Sequence, residues 1–178
     1  MIRRVAGQDL ASLTEIYNQA IRSGRCTADT IPFTPAGRSD WLAKNENDRT
    51  PIYVYETAGS AVGYCYLSPY RPGRPALAGV AEISYYVDFA HHRRGIGRSL
   101  VAHTIAQARV LGYDHLVAIL LGCNTASIAL LKSFGFREWG CLPEVACIGG
   151  ERFSHVYYGL DLRTKTSDPA PAKPGRDW

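Results

Sequence analysis

One stretch limits what this chain can fold into. Val80 to Phe89 is an alternating apolar and aromatic run. His91-His92-Arg93-Arg94-Gly95-Ile96-Gly97-Arg98-Ser99-Leu100 follows almost at once, and an amphipathic run extends from Leu100 to Leu111. The first segment reads as a strand and the last as a helix, so the part between is a strand-to-helix junction. Two glycines one residue apart let the backbone turn tightly, with no Cβ in the way of a ligand. The first N–H groups of the helix have no partner within it and sit at the positive end of its dipole. Arg93, Arg94 and Arg98 surround them. Such a junction suits an anion, above all a phosphate or pyrophosphate. Glycine-rich turns also serve only to change direction, so the remainder of the chain has to decide.

With 178 residues, 46% of them hydrophobic and 20% charged, the chain has enough material for one soluble domain with a sizeable core. No apolar run reaches the length of a membrane span. Met1-Ile2-Arg3-Arg4 leads straight into an amphipathic pattern, and a cytoplasmic protein is the expectation. Cys26, Cys65, Cys123, Cys141 and Cys147 form no CxxC pair, and most sit in apolar runs, so buried free thiols are expected. No spacing of histidine or cysteine predicts a metal site. The net charge is +4, and Arg163, Lys165, Lys173 and Arg176 against Asp168 and Asp177 put +2 of it in the last sixteen residues. This is not the concentrated basic footprint of a nucleic-acid binder.

Periodicity predicts the element order β-α-α-β-β-β-α-β-α-β-β. Ile2 to Ala6 is a strand. A helix follows with Leu10, Leu13, Ile16, Tyr17 and Ala20 at helical spacing and ends at Gly24. Arg25 to Gly37, rich in Thr and Pro, reads as a loop, and Trp41 and Leu42 belong to a short helix ending near Asn47. Ile52 to Tyr55 and Ala61 to Leu67 form a hairpin about Ala58-Gly59-Ser60. His115 to Leu121 is apolar throughout, as in a strand covered on both faces. Asn124 to Phe134 is a helix with Gly135 past its end. Phe136 to Leu142 and Phe153 to Leu162 are the last strands. The pattern is that of a mixed sheet with helices on both faces, in one domain over 1–162. A flexible tail is expected over 163–178.

Two separated motifs make the resemblance specific. His92-Arg93-Arg94-Gly95-Ile96-Gly97 resembles the acyl-CoA motif of the GNAT superfamily of N-acyltransferases, with His92 where Gln or Arg is usual. Asn124-Thr125-Ala126-Ser127, Leu130 and Phe134-Gly135-Phe136 resemble the family's second element. Tyr17-Asn18, Ala81-Glu82-Ile83-Ser84-Tyr85-Tyr86-Val87 and Gly140-Cys141-Leu142-Pro143-Glu144-Val145 narrow the likeness to the phosphinothricin acetyltransferase-like branch. The resemblance implies an α/β fold of the GNAT kind, with a mostly antiparallel seven-stranded sheet. It implies acetyl-CoA as co-substrate, no metal, and transfer of the acetyl group to the primary amine of a small amino-acid-like acceptor. Phosphinothricin and methionine sulfoximine are acceptors of this type. Direct attack in a ternary complex and a homodimer are implied too.

The resemblance also assigns roles. Main-chain groups of Arg93, Arg94, Gly95, Ile96, Gly97 and Arg98 would bind the coenzyme pyrophosphate. Tyr85, Tyr86 and Val87 would meet the pantetheine arm and acetyl carbonyl, with Asn124 and Ser127 nearby; Asn124 would equally serve as a helix N-cap. Glu82 is the candidate base, since an alkylamine is mostly protonated at neutral pH. A carboxylate in an apolar strand is costly to bury unpaired. Burial among Tyr85, Tyr86 and Phe89 would raise its pKa. The same residue would serve as a strand-end charge paired with Arg71 or Arg74. The family tyrosine that protonates the leaving thiolate is replaced by Leu131, so no general acid is assigned. The loop Arg25 to Gly37, with Thr27, Asp29 and Phe33, is where the branch closes over its acceptor. His155 either lines the amine pocket or is an ordinary strand histidine, since a gapless comparison sets Phe153 at the family's histidine position.

Other readings remain. A Rossmann site needs a third glycine where Leu100 stands, and a P-loop needs Gly-Lys-Ser/Thr, which is missing. A non-catalytic acyl-CoA-binding domain of the same fold is a second class. Within enzymes, a protein N-terminus or lysine, a polyamine or an aminoglycoside are the alternative acceptors.

Overall fold

Alternation and helical periodicity resolve into the expected order of elements in a computed structural model, which describes residues 1–163. All but the first residue of the expected tail therefore lies outside the described residues. The chain runs through β1 (Ile2–Arg4), α1 (Leu10–Ser23), α2 (Pro35–Asn45), β2 (Ile52–Thr57), β3 (Ser60–Pro69) and β4 (Val80–Val87). It continues through α3 (Ile96–Val110), β5 (His115–Leu121), α4 (Thr125–Ser133), β6 (Arg137–Ile148) and β7 (Glu151–Asp161). The strands form one seven-stranded sheet in the order β1-β2-β3-β4-β5-β7-β6. Only β4 and β5 run parallel; every other neighbouring pair is antiparallel. Among the described residues no helix is long and apolar enough to cross a membrane.

Helices cover both faces. Leu13 and Ile16 of α1, with Trp41 and Leu42 of α2, pack on Ile52, Val54 and Tyr64. On the other face Leu100, Val101 and Ile105 of α3 and Leu131 of α4 close over Leu67, Ile83 and Leu116. Strand alternation then sorts β4: Ala81, Ile83 and Tyr85 join the α3 side, and Tyr86 joins the α1 side. By the same period of two, Glu82 and Ser84 share the face of Tyr86.

Three expectations need correcting. The Thr/Pro loop ends earlier than Gly37, because Thr34 accepts a hydrogen bond from the Gly37 N–H and Pro35 opens α2. Proline at the first helical position costs nothing, since its missing N–H would have had no partner. β5 is not covered on both faces: His115 and Ile119 are half-buried, because α1 and α2 lie over β2 to β4. All five cysteines are free, yet only Cys65 is buried, and Cys141 and Cys147 are exposed on edge strand β6.

Leu100 is fully buried and stands where α3 meets β3 and β4. Leu100→Ala is expected to cost about 2–5 kcal/mol, the usual range for a Leu truncation that leaves a cavity. The denaturation midpoint should fall with the slope unchanged.

Candidate active site

The parallel ladder between β4 and β5 is short. It holds for Val80, Ala81 and Glu82 against His115, Leu116 and Val117, and then stops. Downstream the two strands diverge, and a gap lined by Ser84, Tyr85, Tyr86, Ala118, Ile119 and Leu120 opens between them. Main-chain orientation decides what the gap offers. The Asp88 N–H donates to the Val62 carbonyl, so even-numbered residues of this strand turn their main-chain groups toward β3. Tyr85 and Val87 therefore turn theirs toward the gap. The Val87 carbonyl is taken, because His92 Nε2 lies 3.0 Å from it and donates. Tyr86 was expected to offer main-chain groups. It sits instead within the β3 pairing opposite Tyr64, and what it gives the gap is a wall.

The gap leads into a cavity of about 380 Å³ between α1, α3 and α4. Tyr85, Tyr86, Val87, Arg93, Gly95, Ile96, Gly97, Arg98, Asn124 and Ser127 all line it; Arg94 does not. Arg93 and Gly95 are both left-handed, at φ 63° and 77°. The first helical bond of α3 is Ser99 N–H to the Gly95 carbonyl, so the N–H groups of Ile96, Gly97 and Arg98 have no helical acceptor. Arg98 reaches across to α4, donating to Ser133 Oγ at 3.1 Å and lying over the Phe134 ring. Asn124 does cap α4, accepting from the Ser127 N–H at 3.2 Å. The Tyr85 phenol donates to the Ser127 carbonyl, and burial pushes it up to about 12, so it stays protonated.

Glu82 stands at the point where the ladder ends. Burial pushes its carboxyl above the usual carboxylate range, opposed by the Ser84 hydroxyl beside it. Its surroundings differ from those expected. Tyr85 lies on the opposite face, and Phe89 is exposed beyond the strand. Tyr66, which pairs with Ser84 in the β3–β4 register, is a half-buried aromatic beside it. No ion pair holds Glu82 among the described residues; Arg71 and Arg74 line a separate cavity of about 490 Å³ under the β3–β4 connection.

Glu82 adjoins the gap without being among the residues that line it or the main cavity, and the remaining candidates are not gathered there either. Thr27 lies 3.0 Å from the Tyr17 hydroxyl, which also donates to Asp29. Asn18 clamps Phe33 through both main-chain groups, at 2.8 and 2.9 Å. This clamp pins the loop to α1 beside Arg38, whose buried guanidinium stacks between Tyr17 and Trp41. His155 packs edge-on against Tyr157 and lines none of these cavities. Cys26, at the start of the same loop, does line both the gap and the main cavity, and no motif marked it.

Residues 11–136 match the Acetyltransferase (GNAT) family. The phosphinothricin N-acetyltransferase of Streptomyces coelicolor is 32% identical over 164 residues, 90% of this chain and 95% of its own length. The L-methionine sulfoximine/L-methionine sulfone acetyltransferase of Pseudomonas aeruginosa PAO1 is 30% identical over 169 residues, 94% and 98% of the two chains. A solved phosphinothricin acetyltransferase from Sinorhizobium meliloti, in complex with AcCoA, superposes with a TM-score of 0.87. It is 25% identical and covers 96% of this chain and 93% of its own.

The two glycines of the turn do different work. A Cβ at Gly95 would meet only open space, but the backbone there is left-handed, so Gly95→Ala should cost about 1–2 kcal/mol. Gly97 has helical geometry, and a Cβ there would meet Leu130 at 3.5 Å and Val87 at 3.7 Å, ordinary contacts. Gly97→Ala should be neutral or stabilising by up to about 1 kcal/mol, as helix propensity dictates. Chemical denaturation of the two variants separates these cases.

Proposed function

The chain belongs to the GNAT acetyltransferase family and is an acyltransferase, and from that premise we propose that it moves the acetyl group of acetyl-CoA to the primary amine of a small amino-acid-like acceptor. The observation that carries this reading is the gap between β4 and β5, with a phosphate-ready turn at one end and the half-buried Glu82 carboxyl where the ladder stops. The N–H groups of Ile96, Gly97 and Arg98 bind the pyrophosphate, with Arg93 and Arg98 supplying charge. The pantetheine arm lies along the cavity and takes the place of the missing β5 partner, bonding the main-chain groups of Tyr85 and the Val87 N–H. Asn124 and Ser127 border the arm. The thioester then rests beside Glu82.

The acceptor arrives largely as an ammonium ion and must lose a proton to attack. Glu82 accepts that proton, directly or through an ordered water. The neutral nitrogen attacks the thioester carbonyl carbon in a ternary complex, the C–S bond breaks, coenzyme A leaves as the thiolate, and the nitrogen gives its second proton to water as the amide forms. Holding donor and amine together in one gap supplies the proximity term. The relatives that act on phosphinothricin and on methionine sulfoximine support an amino-acid-like acceptor. The protein acts in the cytoplasm, where acetyl-CoA is made, and as a homodimer, on the family pattern.

Glu82→Gln should lower kcat/KM by roughly 10²–10⁴, the range of general acid–base catalysis. In the wild type the acid limb of kcat/KM should lie above the ordinary glutamate value of about 4.3, because a base with a raised pKa is lost sooner as pH falls. A carboxyl whose folded pKa is raised holds its proton more tightly when folded, so its stabilising contribution is lost as pH rises through that pKa. The Tm of Glu82→Gln at pH 8 should therefore equal or exceed that of the wild type. A fall in Tm with unchanged turnover would make Glu82 a structural residue. Gly97→Val, which projects into the cavity, should raise the KM for acetyl-CoA at least tenfold (about 1.4 kcal/mol) with the fold intact.

A further inference from the structure

The sheet face that carries Glu82 continues past it as an aromatic pocket. Val80 stands two residues before Glu82 on that face, and Val117 is the register partner of Glu82. Both line a cavity of about 360 Å³ whose other walls are Tyr70, His115, Trp139 and Tyr157. This is the part of the sheet that α1 and α2 leave uncovered.

Trp139 reaches the pocket through two special features. The register of β6 on β7 slips between Glu138 and Gly140, so Trp139 is the extra residue of a β-bulge. Bulges re-aim the side chain they carry. The indole then lies against β7 at Gly159, where a Cβ would sit 2.0 Å from the ring. A side chain at position 159 would push the indole off the sheet. His115 meets the same ring in a T-shaped arrangement at 5.8 Å. Trp139 nonetheless keeps 51% of its surface exposed, so this arrangement does not serve to bury it.

We propose that this pocket holds the side chain of the acceptor, and that the acceptor is a primary amine carrying a flat aromatic ring, an aromatic amino acid or the corresponding arylalkylamine. The inference rests on Glu82 being the base. Glu82 and Val80 stand two positions apart on the strand, roughly 7 Å, comparable to the reach from an amine to a ring two carbons away. Aromatic walls favour edge-to-face and offset-stacked rings. The walls hold neither lysine nor arginine, so a phosphinate tail finds no cation there.

The test measures thiol release from acetyl-CoA with phenylalanine, tryptophan and tryptamine beside phosphinothricin and methionine sulfone. It uses the wild type, Trp139→Ala and Gly159→Ala, each checked for folding by its thermal melt. Aromatic acceptors should lead in kcat/KM by roughly tenfold or more, the discrimination an apolar pocket supplies. Both substitutions should raise KM for aromatic acceptors by a similar factor and leave KM for acetyl-CoA within about twofold. Tryptophan against tryptamine shows whether the carboxylate is also read; turnover of either with that pattern supports the pocket. Turnover of phosphinothricin in preference to every aromatic amine, indifferent to both substitutions, overturns the pocket and leaves the acetyltransferase reading standing. A changed molecular mass by light scattering, with no acceptor-selective change in KM, overturns it too and assigns the face to a second copy of the chain. Turnover of none of these amines, with a polyamine or peptide accepted instead, sinks the amino-acid reading itself.

Discussion

Everything in this fold turns on where the β4–β5 ladder stops. Buried main-chain polar groups are nearly always paired, because an orphan costs as much as a lost hydrogen bond. After Glu82 and Val117 the pairing ends, while Tyr85 and Val87 still present groups toward β5. One of these, the Val87 carbonyl, is satisfied from within by His92. The others face the gap that leads into the cavity of about 380 Å³. On the proposed reading a pantetheine chain, which carries its own amides, would complete the sheet as a missing strand would. The glycine turn therefore matters less as an isolated phosphate site than as the anchor at one end of this open seam.

The seam also fixes which side of the sheet does which work. Alternation puts Tyr85 with α3 and α4 and puts Glu82, Ser84 and Tyr86 on the α1 side. The main cavity is bordered by α3 and α4 but also by Ile16 and Ala20 of α1 and by Tyr86, so it reaches the face of the sheet that carries Glu82. Burial beside Tyr66 disfavours the ionised carboxyl and so makes it a better base, at some cost in stability, a common balance at sites that do chemistry.

Much of this was legible in the sequence, and for identifiable reasons. The element order followed from apolar periodicity, which burial enforces along the whole chain. The turn was legible because a left-handed residue and a ligand-facing residue both favour glycine, and both occur here within three positions. Asn124 was legible as a cap because its short amide reaches the third N–H beyond it. The surroundings of Glu82 were not. Neighbours in sequence suggested Tyr85 and Phe89, but parity sends one to the other face, and the strand ends before the other. Tyr66 is sixteen positions upstream of Glu82, and only the β3–β4 register brings it close. The start of α2 was misjudged because the Thr34-Pro35 pair reads equally as loop or as helix opening. The clamp of Asn18 on Phe33 needed the loop's return path, which composition does not encode.

Trp139 and Gly159 show the same limit in sharper form. Twenty positions apart, neither belongs to a motif, and a β-bulge breaks the period by which a strand tryptophan would be assigned a face. Only once the slip is located does the absence of a side chain at 159 acquire meaning. Donor and acceptor sides thus draw on different parts of the chain. On the proposed reading the donor is held mainly by main-chain groups, whereas the acceptor would meet side chains on β5, β6 and β7. Such walls change without disturbing the seam, so members of one fold can keep the same donor while selecting different amines.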